Sequence, residues 1–277
     1  MRRKLALILF AMVLSASGIG PVGASTYHVY DDWGGTWHDA DKAWTDDTLM
    51  CWAAAAANIL DWAGWDTAPL NNQTMIFQYF VAHWTNQGSF PEFGWNWWLD
   101  GTLPPSLGPE WFRIDIPGGN FWPSANFDNL YHEAWSGNLL ADIDSFLHSG
   151  YGVTLAIYKS NPAGGLNGHA LTCWGYEYSD GSGGRQYAGV YVTDSDDHET
   201  ALQYYTVSWD NADKVWDLGG GFNGWYIGGI EALGQNVPLP PSMLLFASGL
   251  LVLAAWRRRT RSACLSAATG ARWRPKK

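Results

Sequence analysis

The stretch from Asp46 to Trp62, DDTLMCWAAAAANILDW, carries the strongest helix signal in the sequence. Its apolar residues recur at helical spacing, and the run Ala53 to Ala57 favours a helix that packs closely against a sheet. Acidic residues at its start suit the positive end of the helix dipole and supply the cap. Cys51 is therefore predicted in the first turn of this helix, where unpaired N–H groups and the dipole stabilise a thiolate.

The pattern of the chain changes beyond this helix. A weaker helix is predicted over Asn72 to Trp84, surface loops over Asn86 to Asp128, and one or two helices over Leu130 to His148. After Gly150, turn signals separate strand patterns that cover residues 152–158, 169–178, 187–193, 203–209 and 225–233. Helices followed by an antiparallel sheet predict an α+β fold.

The N-terminal residues have the features of a secretory signal. Met1 to Lys4 is basic, Leu5 to Leu14 is almost wholly apolar, and small residues follow as far as Ala24. This order predicts a signal peptide over residues 1–24 that is cleaved after Ala24. A retained membrane anchor is the alternative, but the apolar run is shorter than the roughly 20 residues that a span needs.

At the other end, a Pro-rich segment (237–242) precedes the apolar run Met243 to Trp256 and three arginines (257–259). This arrangement resembles the PEP-CTERM sorting signal of Gram-negative bacteria, although Leu239 stands where the motif usually has Glu. The resemblance implies that the apolar helix holds the exported protein in the inner membrane, with the arginines on the cytoplasmic side, until an exosortase-like sorting enzyme removes it. The final location would be the cell surface or the extracellular matrix.

Charge is distributed unevenly among the predicted segments, which are the signal peptide (1–24), a globular domain (25–236), the sorting signal (237–259) and a basic tail (260–277). All 26 acidic residues lie in the domain, whereas five of the 16 basic residues do, so its formal charge is near −21 against −10 for the whole chain. Such a domain is expected to avoid nucleic acid and anionic membrane surfaces.

Tryptophan is unusually frequent, with 19 residues in the chain. Most are expected in the core, because large aromatic side chains bury much area. Trp95, Trp97 and Trp98 are expected to be exposed exceptions, since Gly94 and Asn96 interrupt their segment. Exposed rings suit stacking on sugars or peptides, and a non-catalytic binding protein is therefore an alternative function.

The three cysteines, Cys51, Cys173 and Cys264, do not form a disulfide framework. Cys51 is a candidate nucleophile, because the start of a helix is the placement that a cysteine peptidase needs for its thiol. A buried structural thiol and a disulfide between Cys51 and Cys173 are the alternatives.

His169 is the candidate general base. It begins the apolar strand pattern HALTCWG after a glycine-rich segment, so it is expected at the mouth of a central strand. A hydrogen-bonded histidine at a sheet edge is the alternative. Asp194 and Asp196 are predicted to share a strand face with Val190 and Val192, and Asp194 is the acid that is expected to orient the imidazole. A solvated turn and a calcium loop are the alternatives for these acids.

Lys42 precedes Cys51 by nine residues and completes the candidate site. A cation near the nucleophile can donate to a developing oxyanion and lower the pKa of the thiol. The alternative is that Lys42 only neutralises Asp41, Asp46 and Asp47. The set requires neither a metal ion nor an organic cofactor, and none is predicted.

These residues lie in stretches that resemble the IdeS/Mac family, the immunoglobulin-G-degrading cysteine endopeptidases. The stretches are DK at 41–42, DDTLMC at 46–51, GHALTCWG at 168–175 and YVTDSD at 191–196, in the same order and spacing. The resemblance implies a papain-like fold with a helical N-terminal part that carries the nucleophile and an antiparallel β-sheet C-terminal part that carries the His and Asp residues. It also implies the following roles: Cys51 as nucleophile, His169 as base, Asp194 and Asp196 as acids, and Lys42 as oxyanion donor.

The resemblance covers most of the segment 37–233 but not 65–139, and Trp52 replaces the glycine that follows the family's nucleophile. The resemblance therefore supports the family's catalytic residues in this chain more strongly than it supports the family's substrate. The sequence predicts an exported cysteine endopeptidase that acts on a protein or peptide. An amidase or transglutaminase with the same Cys-His-Asp chemistry is the alternative enzyme.

Overall fold

The computed structural model describes residues 23–101, 114, 116–199 and 201–236. The helices within these residues are α1 (Val29–Trp33), α2 (Cys51–Trp62), α3 (Gln73–His83), α4 (Pro91–Asp100), α5 (Phe127–Leu130) and α6 (Leu139–His148). The strands are β1 (Ser25–His28), β2 (Tyr131–Ala134), β3 (Tyr151–Ser160), β4 (Leu166–Gly181), β5 (Gly184–Thr193), β6 (Gln203–Asp210), β7 (Val215–Leu218) and β8 (Tyr226–Gly234).

Helix α2 begins later than the sequence predicts. Its N-cap is Met50, which makes no side-chain cap hydrogen bond. Asp47 bonds to the preceding loop instead, since its Oδ2 accepts from the Ala43 N–H at 2.6 Å. A short acidic side chain that bonds to its own neighbourhood competes with helix formation. Cys51 is consequently the first helical residue.

Helix α4 lies in the segment that was predicted to be loop, and that prediction is wrong. Pro91 occupies its first turn and Gly101 ends it in the left-handed conformation, which are ordinary helix start and stop signals. Trp95, Trp97 and Trp98 are at most 2% exposed, contrary to expectation.

The indole N–H groups explain how these tryptophans can be buried. Trp95 Nε1 donates to Ala56 O at 3.1 Å, and Trp98 Nε1 donates to Trp65 O at 2.8 Å. Gly94 lets α4 approach closely, since a Cβ there would stand 3.1 Å from the Trp52 ring. The tryptophan-rich segment is therefore core, packed on α2 and α3.

Six of the strands form a closed antiparallel barrel in the order β4-β3-β8-β7-β6-β5, with β5 pairing back to β4. Strand β4 is 16 residues long and pairs with β3 along its first half and with β5 along its second. Register shifts between Cys173 and Gly175, and between Glu177 and Tyr178, bend the β4–β5 pair. The two remaining strands extend the sheet, β1 on β4 and β2 on β8.

The expected papain-like fold, with a helical N-terminal part and a sheet C-terminal part, is wrong. The closed barrel dominates the described residues, and the helices are few and short, from 4 to 12 residues. The sequence patterns omitted β7, whose four residues are too short for a clear alternation, and β2, which lies in a segment predicted to be helical. Because β7 joins β6 to β8, an arrangement without it cannot close.

The contact of α2 with strands β3 and β4 determines where the start of the helix lies. Ala53 to Ala57 are buried, and the Asn58 amide donates to Thr172 Oγ1 at 3.0 Å. Small side chains permit this close approach of helix and sheet. The N-terminus of α2 thereby lies against the beginning of β4.

Residues from Gln235 to Lys277 separate from the rest of the chain as a second unit. Apart from Gln235 and Asn236, that unit lies outside the described residues, as do the predicted sorting signal and nearly all of the predicted signal peptide. Within the part of the chain that the structure describes, no helix is long and apolar enough to cross a membrane.

Candidate active site

The structure brings the five candidate residues together. Cys51 begins α2, His169 lies near the start of β4, Asp194 and Asp196 follow the end of β5, and Lys42 lies in the loop before α2. All of them except Asp194 line one cavity of about 460 Å³. Asp194 is 6% exposed and contacts His169.

Cys51, His169 and Asp194 form a hydrogen-bonded chain. His169 Nε2 and Asp194 Oδ1 are 2.7 Å apart, and the imidazole is also hydrogen-bonded to the half-buried Cys51 thiol. Because Asp194 occupies Nε2, Nδ1 is the nitrogen that is left for the thiol. A carboxylate that holds one ring nitrogen sets the tautomer and the orientation of the other.

The chain of hydrogen bonds favours a charged thiolate and imidazolium. Burial opposes ionisation of Cys51, but the hydrogen bond and charge of His169, the Ala170 N–H and the charge of Lys42 outweigh it, so the pKa of the thiol is lowered. Burial also disfavours the charged form of His169, yet Asp194 and the thiolate raise its pKa to about 10. Between these two pKa values the nucleophile is ionised and the base carries the proton.

Asp194 and Asp196 have different partners. Strand β5 ends at Thr193, so the two acids lie in the turn that follows it and not on a strand face, contrary to the prediction. Asp196 Oδ1 is 2.6 Å from Lys42 Nζ, while the Asp196 N–H donates to Asp194 Oδ1 at 3.0 Å. The turn therefore connects the histidine and the lysine.

Lys42 is held from several directions and is 2% exposed. Its Nζ donates to Thr48 O at 3.0 Å and lies 4.2 Å from the Trp44 ring centroid, and its backbone N–H donates to Ser195 O at 2.9 Å. Its ion-pair partner is Asp196, not one of the acids nearest in sequence. These contacts fix an ammonium group in the wall of the cavity that Cys51 lines.

The other described cysteine has a contrasting environment. Cys173 is fully buried in β4, and burial raises the pKa of its thiol to about 12. Both Cys51 and Cys173 are free, so the alternative disulfide between them is absent from the described residues.

Among the residues that the structure describes, two groups of side chains lie close enough to hold a cation. In the first, His169, Asp194 and Asp196 already bond to one another and to Lys42. The second consists of Asp39, Asp41 and Asp197, an all-oxygen set of the kind that suits a hard cation such as Ca²⁺. Burial and the neighbouring carboxylates Asp41, Asp197 and Asp194 raise the pKa of Asp39 to about 8.

Sequence reasoning missed further groups in the cavity. Glu231 on β8 and Ser89 before α4 both line it, and the Ala170 N–H bonds to the Cys51 thiolate. Glu231 is the one charged residue in the apolar run YIGGIEALG. This pattern indicates a buried carboxyl group, which is costly to bury without a partner. A backbone N–H such as that of Ala170 has no sequence signal.

Residues 236–259 match the family model of the PEP-CTERM protein-sorting motif, which confirms the sorting signal at the C-terminus. This motif indicates export and membrane-anchored sorting in Gram-negative bacteria and implies recognition by an exosortase-like sorting enzyme. No curated protein matches the chain. The comparisons lend no support to membership of the IdeS/Mac family.

Proposed function

We propose that the domain is an exported cysteine endopeptidase, with Cys51 as nucleophile and His169 as general base and acid. The observation that carries this proposal is the hydrogen-bonded chain from the Cys51 thiol through His169 to Asp194, at the wall of a cavity of about 460 Å³. A nucleophile bonded to a base, which is in turn oriented by a third group, is the arrangement that acyl transfer requires.

The reaction proceeds in two stages. The Cys51 thiolate attacks a peptide carbonyl carbon, and the tetrahedral intermediate collapses with cleavage of the C–N bond while the His169 imidazolium protonates the leaving amine. His169 then takes a proton from water, the resulting hydroxide attacks the thioester, and the carboxylic acid leaves as the thiolate re-forms. Asp194 keeps the imidazole oriented in both stages.

The oxyanion of each intermediate would lie near the first turn of α2. N–H groups there have no acceptor within the helix, and the dipole adds partial positive charge. Lys42 lines the same cavity, and an ammonium group has three N–H bonds, of which Thr48 O and Asp196 engage two and the Trp44 ring is the remaining contact given above. Lys42 thus serves as a cationic donor beside the backbone.

The shape of the surface favours a polypeptide substrate over a small amide. A second cavity of about 410 Å³, lined by Trp135, Trp216 and Tyr226, shares the side chains of Tyr158 and Leu166 with the cavity of Cys51. Adjoining cavities accommodate successive side chains of an extended chain.

This reaction resembles that of the IdeS/Mac endopeptidases. We propose neither their fold nor immunoglobulin as a substrate for this protein. A non-catalytic binding role built on Trp95, Trp97 and Trp98 is weakened, because these three side chains are buried. An amidase or transglutaminase differs in the amide that is attacked or in the acyl acceptor, and product analysis distinguishes these enzymes.

The test is covalent labelling of the purified protein with an electrophilic peptide probe, followed by mass spectrometry to locate the adduct. Cys51 is expected to react with an apparent pKa below the ~8.5 of a free thiol, whereas Cys173 should stay unmodified. Cys51→Ala should abolish both labelling and peptide cleavage, and Cys173→Ala is the matched control. Cleavage that survives Cys51→Ala would overturn the proposal.

A further inference from the structure

Glu231 lies in the wall of the Cys51 cavity and has no role in the proposed chemistry. It is 2% exposed, and its Oε2 accepts a hydrogen bond of 3.0 Å from the Glu92 N–H at the start of α4. Its Oε1 is buried and has no hydrogen-bond partner among the described residues, and the same holds for Ser89 Oγ, which lines the same cavity. Two unpartnered polar atoms in one cavity point to a ligand with hydrogen-bond donors.

The surroundings of Glu231 are acidic. Burial is the largest cause that raises its pKa to about 8, and the charges of Glu92 and Glu133 add to it. Glu133 Oε2 accepts from the Tyr131 hydroxyl and the Trp135 indole, so it is already satisfied. A carboxyl kept at this cost to stability, beside two others, is typical of a functional position.

The cavity itself suits a long side chain with a charged end. The small residues Ala156 and Ala170 are among those that line it and leave space. Phe90 and Pro91 form an apolar wall against which methylene groups can pack. The cation in this cavity, Lys42, is engaged by Asp196 and does not neutralise Glu231.

We propose that Glu231, with Ser89, forms a specificity pocket that binds a lysine or arginine side chain of the substrate close to the scissile bond. This inference rests on the proposed peptidase function and deepens it. A cation is favoured over a neutral amide because the charges of Glu92 and Glu133 act on Glu231, and a cation in the cavity offsets the repulsion that arises when Glu231 ionises. A neutral side chain would leave that repulsion uncompensated.

The first experiment measures kcat/KM of the full-length protein for peptide libraries in which one position carries arginine or its neutral isostere citrulline. At pH 9, where Glu231 is ionised, the wild type should prefer arginine at one position by roughly tenfold to a hundredfold, since a charge-assisted hydrogen bond to a buried carboxylate is lost with citrulline. Glu231→Gln keeps the acceptor for the Glu92 N–H but should reduce this preference to about threefold or less. Glu177→Gln, away from the cavity, is the matched control.

The preference also has a predicted pH dependence. Glu231 is neutral below its pKa of about 8, so the arginine-to-citrulline ratio should rise as pH increases from 7 to 9. The titratable groups that face it are Glu92 on α4, Tyr131 and Glu133 on β2, and Tyr158 on β3. Titration of Cys51 and His169 affects both substrates and cancels in the ratio. A wild type without arginine preference, or an equal preference in Glu231→Gln, would overturn the pocket.

A binding measurement separates this inference from the proposed function. If the wild type cleaves no peptide in the library, the peptidase proposal fails, and full-length Cys51→Ala protein is then titrated calorimetrically with arginine amide and with citrulline amide. A cation pocket without peptidase activity is supported if Cys51→Ala binds arginine amide but not citrulline amide, and if the double variant Cys51→Ala/Glu231→Gln no longer binds arginine amide. Absence of binding, or binding that persists in the double variant, refutes it.

Discussion

Strands β4 and β5 contact a carboxylate–histidine pair at each end of their hairpin, and the two pairs differ in how fully they are hydrogen-bonded. Toward the tip, Asp144 on α6 accepts from the hydroxyls of Tyr176 and Tyr187 and from Arg185, and lies 2.9 Å from His148. Although burial opposes it, these hydrogen bonds lower the pKa of Asp144. Neither thiol in the described part of the chain is hydrogen-bonded to this network.

At the other end, Asp194 holds His169 beside the free thiol of Cys51. The carboxyl groups near this pair have fewer hydrogen-bond partners. Asp39 Oδ1 has no hydrogen-bond partner among the described residues, and burial raises the pKa of both Asp39 and Asp197. A satisfied network stabilises the native state, whereas a partly satisfied one costs stability and is typical of a site that acts on something else. We infer a structural role for the first pair and a functional role for the second.

The largest expected effect tests this contrast directly. Asp194→Asn should lower kcat by about 10⁴, because the amide orients the wrong imidazole tautomer toward the thiol. Asp144→Asn should leave kcat unchanged but cost about 2–3 kcal/mol, because hydrogen bonds to a charged group are lost. Kinetics and urea unfolding of both variants are the measurements. Similar losses of turnover in the two variants would contradict the contrast.

The next effect concerns Lys42. If its ammonium group donates to the oxyanion, Lys42→Ala should lower kcat by roughly 10²–10³ with little effect on substrate binding. Lys42→Arg keeps the charge but misplaces the donor, so it should restore only part of the rate. Lys159→Ala, which removes an exposed lysine on β3, is the matched control and should have no effect on turnover. Unchanged turnover in Lys42→Ala would leave the oxyanion to backbone N–H groups.

A smaller effect is expected for Asp196. Its side chain acts through Lys42, while its backbone N–H still bonds Asp194 after substitution, so Asp196→Ala should cost about tenfold in kcat, less than Asp194→Ala. The pH–rate profile should shift in the Asp194 variant, which changes the environment of His169, and not in the Asp196 variant. Equal and small losses in both would indicate a solvated turn.

The smallest effect is on stability. The pKa of Asp39 in the folded state is about 8, above its ordinary value of 3.8. Its contribution to the free energy of unfolding is therefore complete below pH 3.8 and is lost as pH rises from 3.8 toward 8. Asp39→Asn should remove this loss and gain about 1 kcal/mol at pH 8, measured by urea unfolding from pH 4 to 9. Asp144 has a lowered pKa, so its contribution is present above pH 3.8 and lost on acidification. Asp180→Asn, at an exposed position, is the control.

The candidate residues near Cys51 could be predicted from the sequence, because each belongs to a local pattern. A thiol at the start of an alanine-rich helix, a histidine before an apolar strand and acids after another strand are visible without knowing the fold. The sorting motif at residues 236–259 is equally local. Helix α3 was predicted to within one residue at each end, and in the structure Asn72 is its N-cap, with a side chain that accepts from the Met75 N–H.

The ion pair of Asp196 with Lys42 could not be predicted from the sequence, because it depends on a contact between distant segments. Asp194 and Asp196 have the same local environment in the sequence, yet one bonds to His169 and the other to Lys42, 154 positions away along the chain. Closure of the barrel likewise needs the four-residue β7 and the return pairing of β5 on β4, and neither produces a periodic pattern. The burial of Trp95 and Glu231 follows from packing across elements, which a one-dimensional pattern does not contain.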